Sequence, residues 1–300
     1  MRIALTGATG FVGSTLMDHA LEEGHELRAL TRRDQDARTG VTWVRGDLAD
    51  HAALRRLADG CDAAIHVAGV VNVPDRAAFE AGNIAGTRAV VAAALKADVP
   101  RFVHVSSLAA REPDLSDYGW SKAGAEAEAA EARGCVMVRP PAIYGPRDTE
   151  MFELFRAARS GVVPLPPRGR ASMIHVADLA RLLLALAVGG GAEGAIYEAD
   201  DGHPNGWTHE EMARMIGAAV GRRIVPIHIP RGLVGLAASI DRGFRGAKAK
   251  LTPDRARYMC HADWTARADR QPPASLWQAQ VPTPEGLRQT AEWYRQAGWL

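Results

Sequence analysis

The sequence predicts an α/β protein: a Rossmann-type, doubly wound parallel sheet with a smaller, mostly helical C-terminal substrate lobe. Through the first half of the 300 residues, short apolar segments alternate with helix-like segments at close intervals, as in parallel α/β sheets. These apolar segments lack a two-residue alternation, which indicates strands buried on both faces. The first of them runs directly into a glycine-rich turn and a helix, a context typical of nucleotide binding.

The glycine-rich turn has three glycines spaced three residues apart, followed by a helix-like segment at 14–23 that ends before Gly24. Gly7 suits a tight turn out of the strand, Gly10 a close approach of backbone to a pyrophosphate, and Gly13 packing of the helix against the sheet. The helix N-terminus offers unpaired N–H groups to a diphosphate. The alternative is a tight strand–helix turn with no ligand.

The remaining elements follow from local pattern. In the first half we expect strands at 26–31, 41–44, 63–67, 101–106 and 136–138, and helices at 50–58, 83–97 and 118–133. After Gly145 we expect helices at 151–160, 177–188, 209–220, 233–240 and 284–297, strands at 172–176 and 195–198, a proline-rich loop at 162–169 and a flexible glycine connection at 189–191.

These elements predict two domains. Residues 1–145 form the dinucleotide-binding Rossmann domain, which residues 171–199 rejoin. Residues 146–170 and 200–300 form the substrate-binding lobe, expected over the carboxyl ends of the strands, where open α/β sheets bind ligands.

Composition narrows the function classes. A net charge of +1 argues against nucleic-acid or membrane-surface binding driven by bulk charge. No apolar run approaches the ~20 residues that span a bilayer, and Met1 leads into the first strand without a signal peptide. Cys61, Cys135 and Cys260 lie far apart, which indicates buried thiols in a reducing cytoplasm, with neither disulfides nor a zinc site. We therefore expect a cytoplasmic protein with no nucleic-acid or membrane partner.

Tyr118 and Lys122 are the first candidate catalytic pair. Their i, i+4 spacing at the start of a helix puts both side chains on one face, one turn apart. A free tyrosine has a pKa near 10, and an adjacent ammonium can lower that pKa into the working range of an acid–base group. The alternative is an exposed Tyr/Lys pair on a helix surface.

Ser106 and Ser107 end the fifth predicted strand, at the edge where this architecture holds catalytic groups. A serine hydroxyl there can hydrogen-bond a substrate oxygen and orient it toward Tyr118. For Ser106, plain capping of the strand end is an equal alternative.

Several motifs occur in one order along the chain. They are Thr6–Gly13 as TGATGFVG, Asp47-Leu48, His66–Gly69, the helix beginning Asn83-Ile-Ala-Gly-Thr-Arg, Val105-Ser-Ser, Tyr118-x-x-x-Lys122, Arg139-Pro-x-x-Ile-Tyr-Gly-Pro and Ile174-His-Val-x-Asp-Leu. In this combination the sequence resembles the extended short-chain dehydrogenase/reductase family, also called NAD-dependent epimerase/dehydratases. The resemblance covers residues 1 to about 185, and the tail at 284–300 looks like the family's last helix.

The resemblance implies roles for individual residues. Ser107 would polarise the substrate oxygen, Tyr118 would donate or accept the proton, and Lys122 would bind the nicotinamide ribose and lower the tyrosine pKa. Asp47 would hold the adenine amine, with Leu48 on the ring. The expected cofactor-binding set is Gly7, Thr9, Gly10, Phe11, Val12, Gly13, Arg32, Arg33, Asp47, Leu48, Val67, Ala68, Gly69, Ser106, Lys122 and Pro141.

The end of the second strand favours NADP(H) over NAD(H). NAD-binding relatives place an acidic residue there to bind the ribose 2′-hydroxyl. Here Thr31 stands at that position and Arg32 and Arg33 follow it, and a guanidinium suits a 2′-phosphate. The alternative is a solvated basic turn in which Asp34 or Asp36 supplies the acid.

Two departures from the family's patterns favour a plain oxidoreductase. Leu108-Ala109-Ala110 follows Ser107 where sugar-nucleotide dehydratases carry an acidic pair, and Ala142 stands where epimerases usually have asparagine. We predict hydride transfer between a nicotinamide cofactor and a secondary alcohol or ketone. The alternatives are a sugar-nucleotide epimerase or reductase, and a non-catalytic cofactor-binding accessory protein. By analogy with the family, a homodimer would form through the helices that contain Asn83 and Tyr118.

Overall fold

The computed structural model describes residues 1–246, 249 and 251–300, which form two compact units. The first unit contains Met1–Pro140, Leu179–Glu198 and Pro272–Trp277, and the second contains Pro141–Asp178, Ala199–Gln271 and Gln278–Leu300. Residues 171–178, which the sequence analysis assigned to the Rossmann domain, thus fall in the second unit. A substrate-binding role for that unit stays a prediction.

The strands and helices of both units are as follows. The strands are β1 (Arg2–Thr6), β2 (Glu26–Thr31), β3 (Val41–Arg45), β4 (Ala63–His66), β5 (Phe102–Val105), β6 (Cys135–Val138), β7 (Ala142–Tyr144), β8 (Val162–Leu165), β9 (Arg170–Ala171), β10 (Met173–His175), β11 (Ile196–Tyr197), β12 (Trp207–Thr208), β13 (Val225–His228) and β14 (Asp263–Trp264). The helices are α1 (Phe11–Glu22), α2 (His51–Ala58), α3 (Arg76–Phe79), α4 (Gly86–Lys96), α5 (Asp117–Ala129), α6 (Phe152–Arg159), α7 (Val176–Ala187), α8 (His209–Ala219), α9 (Arg231–Arg245), α10 (Pro253–Met259) and α11 (Thr283–Gln296).

The first unit contains a seven-stranded sheet in the order β11-β6-β5-β4-β1-β2-β3, and its neighbouring strands are parallel. The strand order reverses at β1, which pairs with β2 on one side and β4 on the other. Every residue of β4, β5 and β6 is buried, as the absence of alternation predicted. The doubly wound fold is therefore confirmed, as is the return of the strand near residues 195–198 to the sheet.

Helix ends in the first unit follow from local capping. Asp50 accepts hydrogen bonds from the N–H groups of Ala52 and Ala53 and so begins α2. Ser116 accepts one from Gly119 and so begins α5. Gly24 follows α1 with φ +78°, the left-handed conformation that glycine takes readily.

Two expectations in the first unit need correction. The helix predicted at 83–97 begins earlier, since α3 continues through a π-helical segment, Glu80–Ala85, into α4. The glycine run at 189–191 is fixed rather than loose: the Arg101 guanidinium donates to the carbonyl of Leu186 at 2.8 Å and to those of Gly190 and Gly191. A long-range guanidinium contact of this kind leaves no local trace in the sequence.

In the second unit the predicted loop at 162–169 is wrong, because Val162–Leu165 forms β8, parallel to β13. Pro164 lacks an N–H, but a strand in a two-stranded sheet needs partners on one side only. The unit also contains five further short strands and α10, which the sequence analysis did not predict. Its core includes Tyr144, Phe155, Leu287 and Tyr294, all fully buried.

The three cysteines are free thiols, two buried and Cys260 half-buried. Burial raises the pKa of Cys61 to about 11 and that of Cys135 to about 12, so both stay protonated at neutral pH. Across the described residues, no cluster of acidic, histidine or cysteine side chains could hold a metal ion. Among the same residues, no helix has the length and hydropathy needed to cross a membrane.

Candidate active site

The glycine turn after β1 adopts the geometry expected of Gly7. Gly7 has φ +75°, and a Cβ there would lie 2.8 Å from the backbone nitrogen of Ala68. The turn is closed by a 2.9 Å hydrogen bond from the Gly10 N–H to the Gly7 carbonyl. A side chain at position 7 is therefore excluded both by backbone conformation and by the neighbouring loop.

Gly13 allows a close approach of α1 to the residues that follow β1. A Cβ at Gly13 would lie 2.0 Å from the Gly7 carbonyl oxygen and 2.9 Å from the Ala8 Cα. The residue therefore lets α1 lie against the turn that directly follows β1, and its role in packing the helix on the sheet stays a prediction. This contact holds the N-terminus of α1 beside the end of β1.

The N-terminus of α1 is open to a ligand. Gly10 precedes the helix without a capping side chain, and the first turn contains no acidic residue. Thr9 and Gly10 are exposed, Phe11 is half-buried, and Val12 and Gly13 are buried. Unpaired N–H groups of a first helical turn bind anions, so this surface fits the pyrophosphate of a dinucleotide.

A buried hydrogen-bond chain fixes the loop that follows β4. The Thr6 hydroxyl lies 2.6 Å from Nδ1 of His66, whose Nε2 lies 3.0 Å from the Thr87 hydroxyl. The Ala68 N–H donates to the Thr6 hydroxyl at 3.2 Å. Burial lowers the pKa of His66 to about 3, so its ring stays neutral. Val67 and Ala68 are half-buried and Gly69 is exposed, which leaves this loop accessible beside the glycine turn.

Asn83 joins the same loop to α5. Its side-chain oxygen accepts from the Val70 N–H at 2.8 Å, and its amide donates to the Val70 carbonyl at 3.0 Å and to the Ser121 hydroxyl at 2.9 Å. No role was predicted for Asn83, which stood only within a motif. The sequence clue to such a role is an amide side chain within a helix of small and apolar residues, since a polar group buried there needs hydrogen-bond partners.

Ser107, Tyr118 and Lys122 come together at the carboxyl end of β5. The Ser107 side chain is hydrogen-bonded to the Tyr118 hydroxyl, and its oxygen also accepts from the Ala109 N–H at 3.2 Å. The Lys122 ammonium donates to the Val105 carbonyl at 2.9 Å. A strand end and the first turns of α5 thus hold two hydroxyls and an amine in one cluster.

The pKa of Tyr118 differs from expectation. Burial raises it, and the hydrogen bond from Ser107 acts in the opposite direction. Burial also lowers the pKa of Lys122 to about 8, while Glu126 opposes that shift. Desolvation of the phenol is therefore the larger of the two effects on the Tyr118 pKa. At neutral pH the phenol is therefore protonated.

Two neutral histidines, His66 and His104, lie close enough to Lys122 for its charge to lower their pKa values. The rings of His66 and His104 are 5.5 Å apart, on paired positions of β4 and β5. Burial, reinforced by the Lys122 charge, lowers the pKa of His104 well below its usual value. Neither ring nitrogen of His104 has a hydrogen-bond partner within the described part of the chain. The environment of Lys122 is therefore poor in compensating charge.

The side chain of Ser106 belongs to a different cluster. Its hydroxyl donates to Glu126 at 2.5 Å, and Arg139 donates to both oxygens of Glu126 at 2.8 and 2.7 Å. Arg139 and Arg111 also pair with the buried Glu198, at 3.5 and 3.1 Å. Of the two alternatives for Ser106, the contacts favour a structural one.

The residues assigned to adenine lie after β3. Asp47 is exposed, and one carboxylate oxygen accepts from the Ala49 N–H at 2.9 Å, which leaves the second oxygen available to an amine. Leu48 is half-buried, and a Cβ at Gly86 would lie 2.7 Å from its Cδ1. Gly86 thus makes room for Leu48, and the pair fits an adenine with an exocyclic amine.

The basic turn after β2 is exposed and available. Within the described ranges, neither guanidinium of Arg32 and Arg33 has a hydrogen-bonding or ion-pairing partner, although the Arg33 backbone bonds the Thr31 hydroxyl. Asp34 is paired with Arg45 at 2.8 Å. Of the two acids considered as alternatives, Asp34 is thus already engaged. Pro141, also expected to bind cofactor, is the first residue of the second unit, and its role stays a prediction.

Comparison with known proteins identifies the family of this chain. The model of the NAD dependent epimerase/dehydratase family matches residues 3–198. A ceramide reductase from Caulobacter vibrioides is 39% identical, over 99% of this chain and 96% of its own. A 2-alkyl-3-oxoalkanoate reductase from Stenotrophomonas maltophilia is 31% identical, over 74% of this chain and 76% of its own. Among solved structures, MoeE5 in complex with UDP-glucuronic acid and NAD aligns with a TM-score of 0.78 at 24% identity, over 99% of this chain and 100% of its own.

Proposed function

Because this chain belongs to the NAD-dependent epimerase/dehydratase family and is an NAD(P)-dependent oxidoreductase of the extended short-chain dehydrogenase/reductase type, we propose that it reduces a ketone to a secondary alcohol with NADPH. Tyr118 is the proposed proton donor. The observation that carries the proposal is the cluster of Ser107, Tyr118 and Lys122 at the carboxyl end of β5.

Each residue of the cluster has a distinct task. Ser107 donates a hydrogen bond to the carbonyl oxygen and holds it beside Tyr118, whose hydroxyl it already contacts. When bound, the reduced nicotinamide supplies the hydride that bonds to the carbonyl carbon. Tyr118 gives its proton to the oxygen, and the charge of Lys122 stabilises the phenolate left behind. Because burial raises the tyrosine pKa, the phenol is protonated at neutral pH, which suits reduction.

The groups that would hold the cofactor lie along the same sheet edge. The first turn of α1 would bind the pyrophosphate, Asp47 and Leu48 the adenine, and Lys122 the nicotinamide ribose. Arg32 would bind the 2′-phosphate, which makes NADP(H) the preferred cofactor. Support for this preference comes from an unpaired guanidinium at Arg32 beside an Asp34 that is engaged with Arg45.

The substrate class is proposed from the relatives. The two curated relatives described above are named for ceramide and for a 2-alkyl-3-oxoalkanoate, and both compounds contain hydrocarbon chains. We therefore propose a ketone carried on a hydrocarbon chain. The first of these relatives aligns over almost the whole of both chains.

The catalytic assignment is tested by Tyr118→Phe, which removes only the phenol oxygen. With NADPH and a 3-oxoacyl substrate, we expect kcat to fall about 10²–10⁴-fold, the usual contribution of general acid catalysis. Tyr197→Phe in β11 is the matched control and should keep full activity. A Tyr118→Phe variant with more than half of the wild-type kcat contradicts the mechanism.

The cofactor assignment is tested by Arg32→Ala. We expect the KM for NADPH to rise about tenfold, equivalent to one charge-assisted contact, with little change for NADH. Arg55→Ala, at an exposed arginine of α2, controls for the loss of one positive charge in the same unit. Tighter binding of NADH than of NADPH in the wild type, unaltered in Arg32→Ala, contradicts the preference.

The sugar-nucleotide epimerase or reductase remains the alternative within the family. It predicts that UDP-glucose or UDP-glucuronic acid is turned over, or competes with the ketone. The accessory-protein alternative predicts cofactor binding with no turnover across a panel of carbonyl substrates, including 3-oxoacyl compounds.

A further inference from the structure

One helix of the second unit exposes an unusually apolar surface. The side chains of Leu233, Leu236, Ile240 and Phe244 are 54%, 57%, 51% and 89% exposed. Their spacing of three or four residues places them along one face of α9, while Val234 and Ala238 are buried and pack in a separate cluster with residues of α10. The exposed face extends about 17 Å along the helix.

The same stretch of chain is strongly basic. Residues 231–250 contain five cations, Arg231, Arg242, Arg245, Lys248 and Lys250, against the single acid Asp241, a local net charge of +4. The whole chain has a net charge of only +1. The expectation of no membrane partner was drawn from that average, which conceals the local excess.

Apolar exposure continues just before the helix. Val225 and Ile227 in β13 are 60% and 46% exposed, and only two residues separate β13 from α9. In the register of β13 with β8 these residues face Val162 and Pro164, which are also exposed. Half of the twelve large apolar side chains that the described residues expose therefore lie between Val225 and Phe244.

We propose that α9 is a peripheral membrane anchor that lies in the interface of an anionic bilayer. An amphipathic helix with an apolar face and clustered cations has the composition of such anchors. The helix is too short and too polar to span a bilayer, so it would insert its apolar face only to the depth of the headgroup boundary.

A second copy of the chain fits this surface less well. A stable dimer buries about 800 Å² on each partner, more than one face of a 15-residue helix offers. A symmetric pairing of α9, whose own residues have a net charge of +2, would also bring like charges together. An anionic lipid surface supplies the opposite charge and accepts the apolar side chains.

The inference goes beyond the proposed reaction and is measured without turnover. The full-length chain is sedimented with vesicles of phosphatidylcholine alone and with vesicles of equal parts phosphatidylcholine and phosphatidylglycerol. We expect strong binding to the anionic vesicles, weaker binding to the neutral ones, and a loss of the difference at high salt.

The apolar contribution is tested by Leu236→Gln combined with Phe244→Gln. Both side chains are exposed, so thermal unfolding should be unchanged, while the vesicle partition coefficient should fall about tenfold or more. Leu95→Gln is the matched control, because Leu95 is 45% exposed in the first unit. Arg242→Gln with Arg245→Gln should reduce binding to anionic vesicles only. Turnover of a water-soluble ketone should be the same in every variant.

Three outcomes overturn the proposal. The wild type fails to sediment with anionic vesicles, the Leu236→Gln/Phe244→Gln variant binds as well as the wild type, or Leu95→Gln loses as much binding. If light scattering shows instead that the double variant converts a dimer to a monomer while vesicle binding is absent, the apolar face of α9 is a contact between copies of the chain.

Discussion

Two buried polar clusters lie along α5 of the first unit. One contains a lysine without an acidic hydrogen-bond partner among the described residues, and the other contains a glutamate paired with an arginine. Lys122 and Glu126 are one turn apart on the helix. Lys122 bonds a backbone carbonyl above two neutral histidines, and burial lowers its pKa to about 8. Glu126 is hydrogen-bonded by both Ser106 and Arg139.

The difference separates the groups that hold the fold from those that are free to react. Arg139 has two acidic partners, and its pairing with Glu126 raises its already high pKa, so its charge is fixed. The amine of Lys122 and the phenol of Tyr118 have pKa values shifted against ionisation by burial. A bound ligand that supplies charge or hydrogen bonds can shift these equilibria, whereas the paired cluster has little left to gain.

Breaking the paired cluster should give the largest effect on stability. Arg139→Met leaves Glu126 and Glu198 buried with fewer partners, and loss of one member of a buried ion pair costs about 3–5 kcal/mol. Urea unfolding followed by circular dichroism measures this loss. The kcat of the remaining folded enzyme should be close to that of the wild type.

Arg88→Met is the matched control for that substitution. Arg88 pairs with Glu128 on the surface at 2.7 Å, where solvent screens both charges, so the change in the free energy of unfolding should be small. Equal losses for the two variants would contradict the contrast between buried and exposed pairs.

The adjacent serines provide the sharpest functional comparison. Ser107→Ala removes the hydroxyl bonded to Tyr118, and we expect kcat to fall about 10²-fold, as when one hydrogen-bond donor to a reacting oxygen is lost. Ser106→Ala removes one hydrogen bond to Glu126, and we expect a loss of about 1–3 kcal/mol of stability with kcat retained. Steady-state kinetics and urea unfolding on both variants distinguish the two roles. Equal falls in kcat would place both hydroxyls in the reaction.

Local pattern predicted the elements that depend on nearby residues. The strand–glycine–helix context predicted the tight turn at Gly7, and the i, i+4 spacing placed Tyr118 and Lys122 one turn apart on one helix. Buried parallel strands were recognisable because their apolar residues do not alternate. The fold of the first unit followed from these patterns together.

Features that depend on distant contacts were missed. The direction of the Tyr118 pKa shift depends on how deeply the folded chain buries the phenol, which spacing does not report. The pairing of Arg139 with Glu198 and the contacts of Asn83 join segments far apart in sequence. The strand around Pro164 was taken for a loop because proline ordinarily interrupts sheets, and a single parallel partner removed that objection.

The buried Lys122 makes the free energy of unfolding depend on pH. The folded pKa of Lys122, about 8, lies below the ~10.4 of an unfolded lysine. Between these pH values the unfolded chain binds more protons, so the contribution of Lys122 to the free energy of unfolding rises with pH. Below pH 8 both states are protonated, and the buried ammonium destabilises the folded state.

Lys122→Met should therefore be more stable than the wild type at pH 7, by about 2 kcal/mol after the lost bond to Val105 is taken into account. The advantage should disappear as pH rises from 8 to above 10, while kcat falls at every pH. Urea unfolding of both proteins at pH 7 and pH 10 gives the difference, in which the contributions of the buried cysteines cancel. Lys96→Met, at an exposed lysine of α4, should show no such trend. A stability difference that stays constant with pH would mean that burial does not lower the pKa of Lys122. The charge of Lys122 would then be as well compensated as the charges of Glu126 and Arg139.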